Sequence, residues 1–333
     1  MAPAYAALRR AAIALVALLA LGPPSGTALA DNQTSGVSNR SICVVVPHFK
    51  DEYWLSVGYG LIKEAAKTET RLIMFESGGY HALTRQISLL QTCVERKADA
   101  ILLGAVSADD PVLLAAVGRT ARHVPVVGLV NELHATQLSG AVGVDWSDMG
   151  AEIGRYLTRL HPKGSDPVNA ALVTGPAQSG WSPLLEAGLE NALQGSSVTI
   201  RHIGRSDTGL REQLTQVEDT LRDVPDLDIL IGSAPAIEGA MGLAANSDRP
   251  APQFVSTYIS HSVRRGLQGG SVVAAAFDDP VVQGRMGVQM ALKAQRGVFS
   301  TEVRGPDIVL LEAARITEQR VELSPAALEL KIE

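Results

Sequence analysis

The sequence predicts an α/β fold with two doubly wound parallel sheets and a ligand cleft between them. Short apolar runs alternate with segments of helical periodicity, which is the pattern of successive βαβ units. About eleven such runs occur, more strands than one sheet comfortably holds in a chain of 333 residues. Once a leader is removed, roughly 300 residues remain, enough for two lobes that each bury a core.

The predicted strands are short, aliphatic and rich in valine, isoleucine, leucine and alanine. They lie at residues 42–46, 71–75, 100–104, 125–129, 141–144, 170–174, 198–203, 228–231, 254–257 and 272–276, with a last one near 308–311. Between the strands lie segments whose apolar residues have helical spacing, as in Leu83, Ile87, Leu90 and Val94. Asp145 or Ser147 is placed to cap the helix after the fifth strand, and Ser206 or Asp207 the helix after the seventh.

The first thirty residues have the composition of a secretory signal peptide. Arg9 and Arg10 precede an apolar stretch at 11–21, and Ala28-Leu29-Ala30 forms a small-x-small cleavage site. An uncleaved anchor is the alternative interpretation. We therefore expect residues 1–30 to be removed on export, leaving a polar, flexible leader at 31–40 and a soluble mature chain.

The order of the elements suggests how the lobes divide the mature chain. We expect residues 41–142 and 258–300 to form an N-terminal lobe, and 143–257 and 301–320 to form a C-terminal lobe. Residues 321–333 would be a C-terminal tail. Because no low-complexity linker separates the two parts, we expect more than one crossover between the lobes.

Charge and hydropathy exclude two classes of partner. The net charge is −6 and no basic stripe is present, which argues against nucleic-acid binding. After the signal peptide no segment is long and apolar enough for stable membrane insertion.

The chain also lacks the usual motifs of catalysis. Gly58-Tyr59-Gly60 has Lys63 where a dinucleotide fingerprint needs its third glycine, and Ser182 lacks the second glycine of a nucleophile elbow. The seven histidines show no pair at metal-ligand spacing. We therefore predict no catalytic residue, no metal site and no cofactor.

Aromatic residues, only 4% of the sequence, concentrate in loops that follow predicted strands. These residues are Trp54, Trp146 and Trp181 and, in comparable places, Tyr53, Tyr80 and Tyr258. The carboxyl ends of strands are where open α/β sheets bind ligands. The rings therefore predict a site for a small ligand with an apolar or cationic face, although each ring taken singly could instead fill a gap between helix and sheet.

Two carboxylates, Asp51 and Asp278, occupy similar strand-end positions. A carboxylate beside stacked rings stabilises a methylated ammonium centre, and each cation–π contact contributes about 0.5–2 kcal/mol. We predict that both belong to the ligand site, while a helix N-cap is an equally good interpretation of Asp51.

Two cysteines, Cys43 and Cys93, fall within the same predicted βαβ unit. Export to an oxidising compartment favours a disulfide between them. Two buried free thiols are the alternative.

Six short segments combine these loop residues with strand ends in a distinctive way. They are residues 50–56, Tyr59-Gly60, Ser77–Tyr80, 98–104, 143–146 and 257–261. The combination resembles the trimethylamine N-oxide sensors, a branch of the type I periplasmic binding proteins. The resemblance extends from about residue 41 to residue 320 and includes the positions of Cys43 and Cys93.

This resemblance implies a receptor that binds trimethylamine N-oxide, or a related methylated amine, and signals to the periplasmic domain of a membrane sensor histidine kinase controlling anaerobic respiration genes. It implies a ligand cage of Trp54, Tyr80, Trp146 and Tyr258, with Asp51 and Tyr53 close by. Asp145 and Trp181 are departures from the related sequences. The main alternative function is the substrate-binding protein of an ABC importer for a small polar or quaternary-amine ligand.

Overall fold

The computed structural model describes residues 40–248 and 250–333, and the expected signal peptide and nearly all of the expected leader lie outside them. The strands are β1 (Ser41–Val46), β2 (Arg71–Glu76), β3 (Ala100–Leu103), β4 (Val126–Leu129), β5 (Gly140–Val142), β6 (Val168–Thr174), β7 (Val198–Arg205), β8 (Ile229–Gly232), β9 (Gln253–Ser256), β10 (Val272–Phe277), β11 (Val303–Arg304) and β12 (Val309–Glu312). The helices are α1 (Glu52–Lys67), α2 (Leu83–Glu95), α3 (Pro111–Thr120), α4 (Trp146–Leu160), α5 (Trp181–Leu193), α6 (Leu210–Asp223), α7 (Ala234–Ala245), α8 (His261–Gly269) and α9 (Pro280–Ala294).

The strands form two sheets, as the sequence predicted. The first has the order β2-β1-β3-β4-β5-β11 and is parallel throughout. The second has the order β7-β6-β8-β9-β10-β12 and is parallel except for β12. In each sheet the order of the strands reverses at the first strand: β1 lies between β2 and β3, and β6 lies between β7 and β8. Such a switch point is where ligands bind in open α/β sheets.

The division of the chain between the lobes differs from the prediction in two segments. Residues 258–300 were expected in the first lobe, but β10 pairs with β9 and β12 in the second sheet. Only the later part of that range, α9, packs on α1 and on the first sheet. Residues 301–320 were expected in the second lobe, but β11 pairs with β5 in the first sheet. The pairing of β11 escaped prediction because two exposed residues carry no periodic pattern.

The lobes each contain a helix pair that packs at backbone distance. Gly60 of α1 and Gly284 of α9 face each other, and in the second lobe Gly150 of α4 and Gly188 of α5 do the same. A Cβ atom on any of the four would overlap a backbone carbonyl oxygen of the opposite helix. The helices therefore need glycine at these crossings.

Within the residues that the structure describes, no helix has both the length and the apolar composition needed to cross a bilayer. The tail lies against the first lobe, where Ile332 forms an isolated parallel bridge with Met74 of β2.

Cys43 of β1 and Cys93 of α2 form a disulfide, which confirms that interpretation over two free thiols. The Cα atoms are 5.8 Å apart and both residues are fully buried. The bond ties the second helix to a central strand of the first sheet.

We expect the double variant Cys43→Ala/Cys93→Ala to lose about 4 kcal/mol of unfolding free energy, because the bond closes a loop of 50 residues in the unfolded chain. Urea unfolding of oxidised wild type and double variant, followed by circular dichroism, measures the difference. Equal unfolding midpoints would contradict the assigned contribution.

Candidate functional site

A small cavity lies where loops from the carboxyl ends of both sheets meet. Its volume is about 10 Å³, room for roughly one water molecule and far below the roughly 300 Å³ or more typical of sites for drug-sized ligands, so the rings nearly fill the space between them. Its lining residues are Asp51, Tyr53, Trp54, Tyr80, Val130, Asn131, Trp146, Trp181, Thr208 and Tyr258. All six rings singled out from the sequence are buried, and all six line this one cavity.

Of the two predicted site carboxylates, Asp51 lines the cavity and Asp278 does not. Asp278 is fully buried and lies behind Tyr53, whose hydroxyl donates to its Oδ2 atom at 2.7 Å. Gln283 donates to the same Oδ2 atom at 2.8 Å and to the Tyr53 hydroxyl at 3.0 Å. Asp278 therefore orients a lining ring and does not itself face the cavity.

Two of the indoles lie directly over glycine residues at strand ends. Gly104 follows β3, and a Cβ atom there would come within 2.6 Å of Trp54. Gly175 follows β6 in the second lobe, and a Cβ atom there would overlap Trp181 in the same way. The absence of a side chain at each strand end lets an indole rest on the backbone at the sheet's switch point.

The ring pairs around the cavity are tilted or meet edge to face, and aromatic quadrupoles favour the edge-to-face arrangement. The Trp146 and Trp181 centroids are 5.2 Å apart at 43°, and Tyr258 stands at 84° to Trp181 at 6.3 Å. Tyr53 and Tyr258 are 5.2 Å apart at 70°. The result is a box with ring faces on several sides.

The Tyr80 hydroxyl is the point on which N–H donors converge. Asn131 Nδ2 donates to it at 3.1 Å and Trp181 Nε1 at 3.3 Å, and Trp54 is a further hydrogen-bond partner. Asn131 Nδ2 also reaches the Ala105 carbonyl at 2.8 Å. These N–H groups are committed to protein acceptors, and the Tyr80 O–H, which makes only a long contact of 3.4 Å to Asn131 Oδ1, is the donor that this wall can offer to an oxygen atom.

Val130 and Thr208 line the cavity without any signal in the sequence. Val130 has a φ of 67°, a strained conformation for a β-branched residue, and its carbonyl accepts from Trp146 Nε1 at 3.2 Å. Asn131 follows β4, a strand-end position like those of the other lining residues that the sequence indicated.

Asp51 has both of the roles that the sequence suggested, since it caps helix α1 and lines the cavity. Its Oδ1 atom caps α1 by accepting from the Tyr53 backbone N–H at 2.9 Å, and its Oδ2 atom accepts from the Tyr258 hydroxyl at 2.7 Å. Burial raises the pKa of this carboxyl from 3.8 to about 6, against the lowering effect of those hydrogen bonds. The cavity lining contains no lysine, arginine or histidine.

Beside the cavity, Asp207 joins the two lobes. It follows β7, and its Oδ2 atom accepts from the Tyr80 backbone N–H at 2.7 Å, while Oδ1 lies 3.2 Å from His48 Nε2. Burial works to raise the pKa of Asp207, but these bonds and the His48 charge outweigh it and lower the pKa. The helix after β7 begins instead at Gly209, without a side-chain cap, so the predicted capping role of Ser206 or Asp207 is wrong.

Asp145, which like Trp181 departs from the related sequences, does not line the cavity. It is exposed and caps α4 by accepting from the Ser147 backbone N–H at 2.8 Å. One of the two predicted capping alternatives is thereby confirmed.

We expect the Asp51 carboxyl to make the protein's stability depend on pH. The folded protein holds this proton up to about pH 6, whereas the unfolded chain releases it near 3.8. The folded state therefore binds more protons between these values, and stability falls as pH rises through them. The shift corresponds to about 3 kcal/mol.

Asp51→Asn removes the titration, so its unfolding free energy relative to wild type should rise by about that amount between pH 4 and pH 7. Paired urea titrations at several pH values measure the difference. A difference that is independent of pH would contradict the buried-carboxyl assignment.

Comparisons with known proteins agree with this architecture. Residues 42–297 match the family described as periplasmic binding protein domain. The periplasmic protein TorT of Escherichia coli K12 is 35% identical over 284 residues, covering 85% of this chain and 81% of TorT. The TorS sensor domain–TorT complex, solved in the presence of TMAO, has a TM-score of 0.76 and 35% identity, covering 89% of this chain and 100% of that one.

An ABC transporter solute-binding protein of Bradyrhizobium sp. BTAi1, solved with bound bis-tris, is 32% identical with a TM-score of 0.73. The match covers 88% of this chain and 89% of the other. The matched length, the identity to TorT and the two-sheet topology together identify the chain as a periplasmic protein that belongs to the periplasmic binding protein domain family and is related to TorT.

Proposed function

We propose that this protein is a periplasmic receptor that binds trimethylamine N-oxide in the aromatic cavity and reports on it to a membrane sensor histidine kinase of the TorS type, controlling anaerobic respiration genes. The observation that carries the proposal is the convergence of six rings and one buried carboxylate from both sheets on one small cavity. The relative solved with the TorS sensor domain in the presence of TMAO supports the same role.

The aromatic surface of the cavity suits a trimethylated nitrogen. The N-methyl groups of the ligand carry partial positive charge, and they would pack on the ring faces of Trp146, Trp181 and Tyr258 once these rings part to admit the ligand. Each such contact contributes about 0.5–2 kcal/mol when the group is desolvated. The Asp51 carboxylate adds a negative charge on the same side as Tyr258.

The polar groups suit an N-oxide oxygen at the other end of the ligand. The Tyr80 hydroxyl, which accepts from Asn131 and from the Trp181 indole, can donate its own proton to that oxygen. No cationic side chain lines the cavity to pair with a ligand carboxylate. A buried, unpaired carboxylate costs several kcal/mol or more, so betaines are disfavoured relative to amine oxides.

The residues proposed to contact ligand are Trp54, Tyr80, Trp146, Tyr258, Asp51, Tyr53 and Trp181, with Asp278 acting through Tyr53. The proposed role is binding without chemical turnover, in keeping with a family of binding proteins.

Binding can control signalling because the cavity wall is shared between the lobes. Tyr80 in the first lobe contributes its hydroxyl to the cavity and its backbone N–H to Asp207 in the second lobe. A ligand that contacts both lobes favours their closed arrangement by its difference in affinity for the two arrangements. The kinase would then recognise an outer surface that changes with occupancy.

The second candidate function is the substrate-binding protein of an ABC importer. The Bradyrhizobium relative, described as an ABC transporter solute-binding protein, favours it at 32% identity. Both functions use the same fold and cavity, and they differ in the protein that docks on the outer surface.

We expect isothermal titration calorimetry on ligand-stripped protein to show binding of trimethylamine N-oxide, and Trp54→Ala and Trp146→Ala each to weaken it by about ten-fold or more, because each variant removes a ring face and opens the cavity to water. Phe254→Leu, which alters a buried ring of the second sheet that does not line the cavity, is the matched control. Wild-type affinity in both alanine variants would defeat the assignment.

We further expect the purified periplasmic domain of a TorS-type kinase to form a complex with this protein whose stability changes on addition of trimethylamine N-oxide. Sedimentation velocity with and without ligand measures the complex. Intact ligand binding with no complex at micromolar concentration would favour the importer function.

A further inference from the structure

We infer that Trp181 sets the upper size limit of the ligand, so that this receptor selects N-methyl amine oxides against amine oxides with larger nitrogen substituents. The inference rests on the proposed function and assigns to one residue the selectivity that the cavity as a whole would show. Its basis is the position of the indole among the cavity walls.

Trp181 is the ring with the most ring contacts around the cavity. Its centroid lies 5.2 Å from that of Trp146, 6.3 Å from that of Tyr258 and 6.5 Å from that of Tyr80. Its side chain is 2% exposed. The indole therefore occupies the space among three other walls, and the dimensions of the cavity depend on it more than on the rings at its edge.

Both the side chain and the backbone of Trp181 are held across the cleft. The indole Nε1 donates to the Tyr80 hydroxyl of the first lobe at 3.3 Å. The preceding residue, Gly180, has a φ of 79°, and a Cβ atom on it would lie 2.5 Å from Ala108 Cβ in the first lobe. The Ala108 backbone N–H donates to the Gln178 carbonyl at 3.1 Å. A larger ligand cannot displace the ring without breaking these contacts between the lobes.

The residue beneath the Trp181 indole is a glycine, which has no side chain to take the place of the ring. Gly175 lies under the ring, and a Cβ atom at that position would overlap the Trp181 Cζ2 atom. Shortening Trp181 would therefore extend the cavity down to the backbone at the end of β6, where nearby side chains cannot fill the space without moving. Trp54 has a comparable position over Gly104, but it makes a single close ring contact, with Tyr53.

The test compares trimethylamine N-oxide with triethylamine N-oxide, in which each methyl is replaced by an ethyl group. We expect wild type to bind the first and to discriminate strongly against the second. In Trp181→Ala and Trp181→Leu the ratio of the two dissociation constants should shift toward the larger ligand by about ten-fold or more, since each methylene group newly buried favours binding by roughly a factor of four.

Two controls distinguish a space effect from a general loosening of the site. Phe254→Leu should leave the ratio unchanged, because that ring is buried away from the cavity. Adding Gly175→Val to Trp181→Ala refills the space below the indole and should restore the discrimination against triethylamine N-oxide.

An unchanged ratio in both Trp181 variants, or a wild type that binds the two amine oxides equally well, would overturn the size-limit role while leaving the receptor function intact. A wild type that binds neither ligand would instead count against the proposed function itself. The two failures are therefore separate results of one titration series.

Discussion

The site depends on helix pairs whose backbones pack in direct contact within each lobe. In the first lobe α1 and α9 cross at Gly60 and Gly284, and in the second lobe α4 and α5 cross at Gly150 and Gly188. Each helix in these pairs begins within two residues of a side chain that was predicted for the site. The crossings therefore bring the amino ends of the helices together: Tyr53 reaches Asp278 at the start of one pair, and Trp146 meets Trp181 at the start of the other.

The burial of two carboxylates gives this arrangement its electrostatic character. Desolvation raises the pKa of both Asp51 and Asp278 to about 6, and each accepts a hydrogen bond from a tyrosine hydroxyl. Burial also raises the pKa values of Tyr53 and Tyr258, so these hydroxyls stay protonated and remain donors. The cavity thus presents ring faces and negative charge, which is complementary to a methylated nitrogen and unsuited to an anionic group.

Much of the fold and of the candidate site follows from local patterns. The strand runs predicted all eleven longer strands within a few residues, and their carboxyl ends identified all six rings of the cavity. Asp278 was correctly found near the site but assigned the wrong contact, because a strand-end position does not reveal whether a side chain faces the cavity or another side chain. Val130, which has a φ of 67°, was missed because no sequence pattern distinguishes it from the other buried valines.

The assignment of segments to lobes shows most clearly what the sequence could not predict. Strand β10 and helix α9 are adjacent in sequence but lie in different lobes, and only long-range pairing with β9 and β12 on one side and packing on α1 on the other decides this. By itself the sequence determined the alternation of strands and helices and the residues at strand ends, because each is a property of local periodicity or composition. The tertiary structure alone decided which strand ends share a cavity and which rings meet across it, because those contacts join residues far apart in the chain and depend on how closely the helices between them can pack.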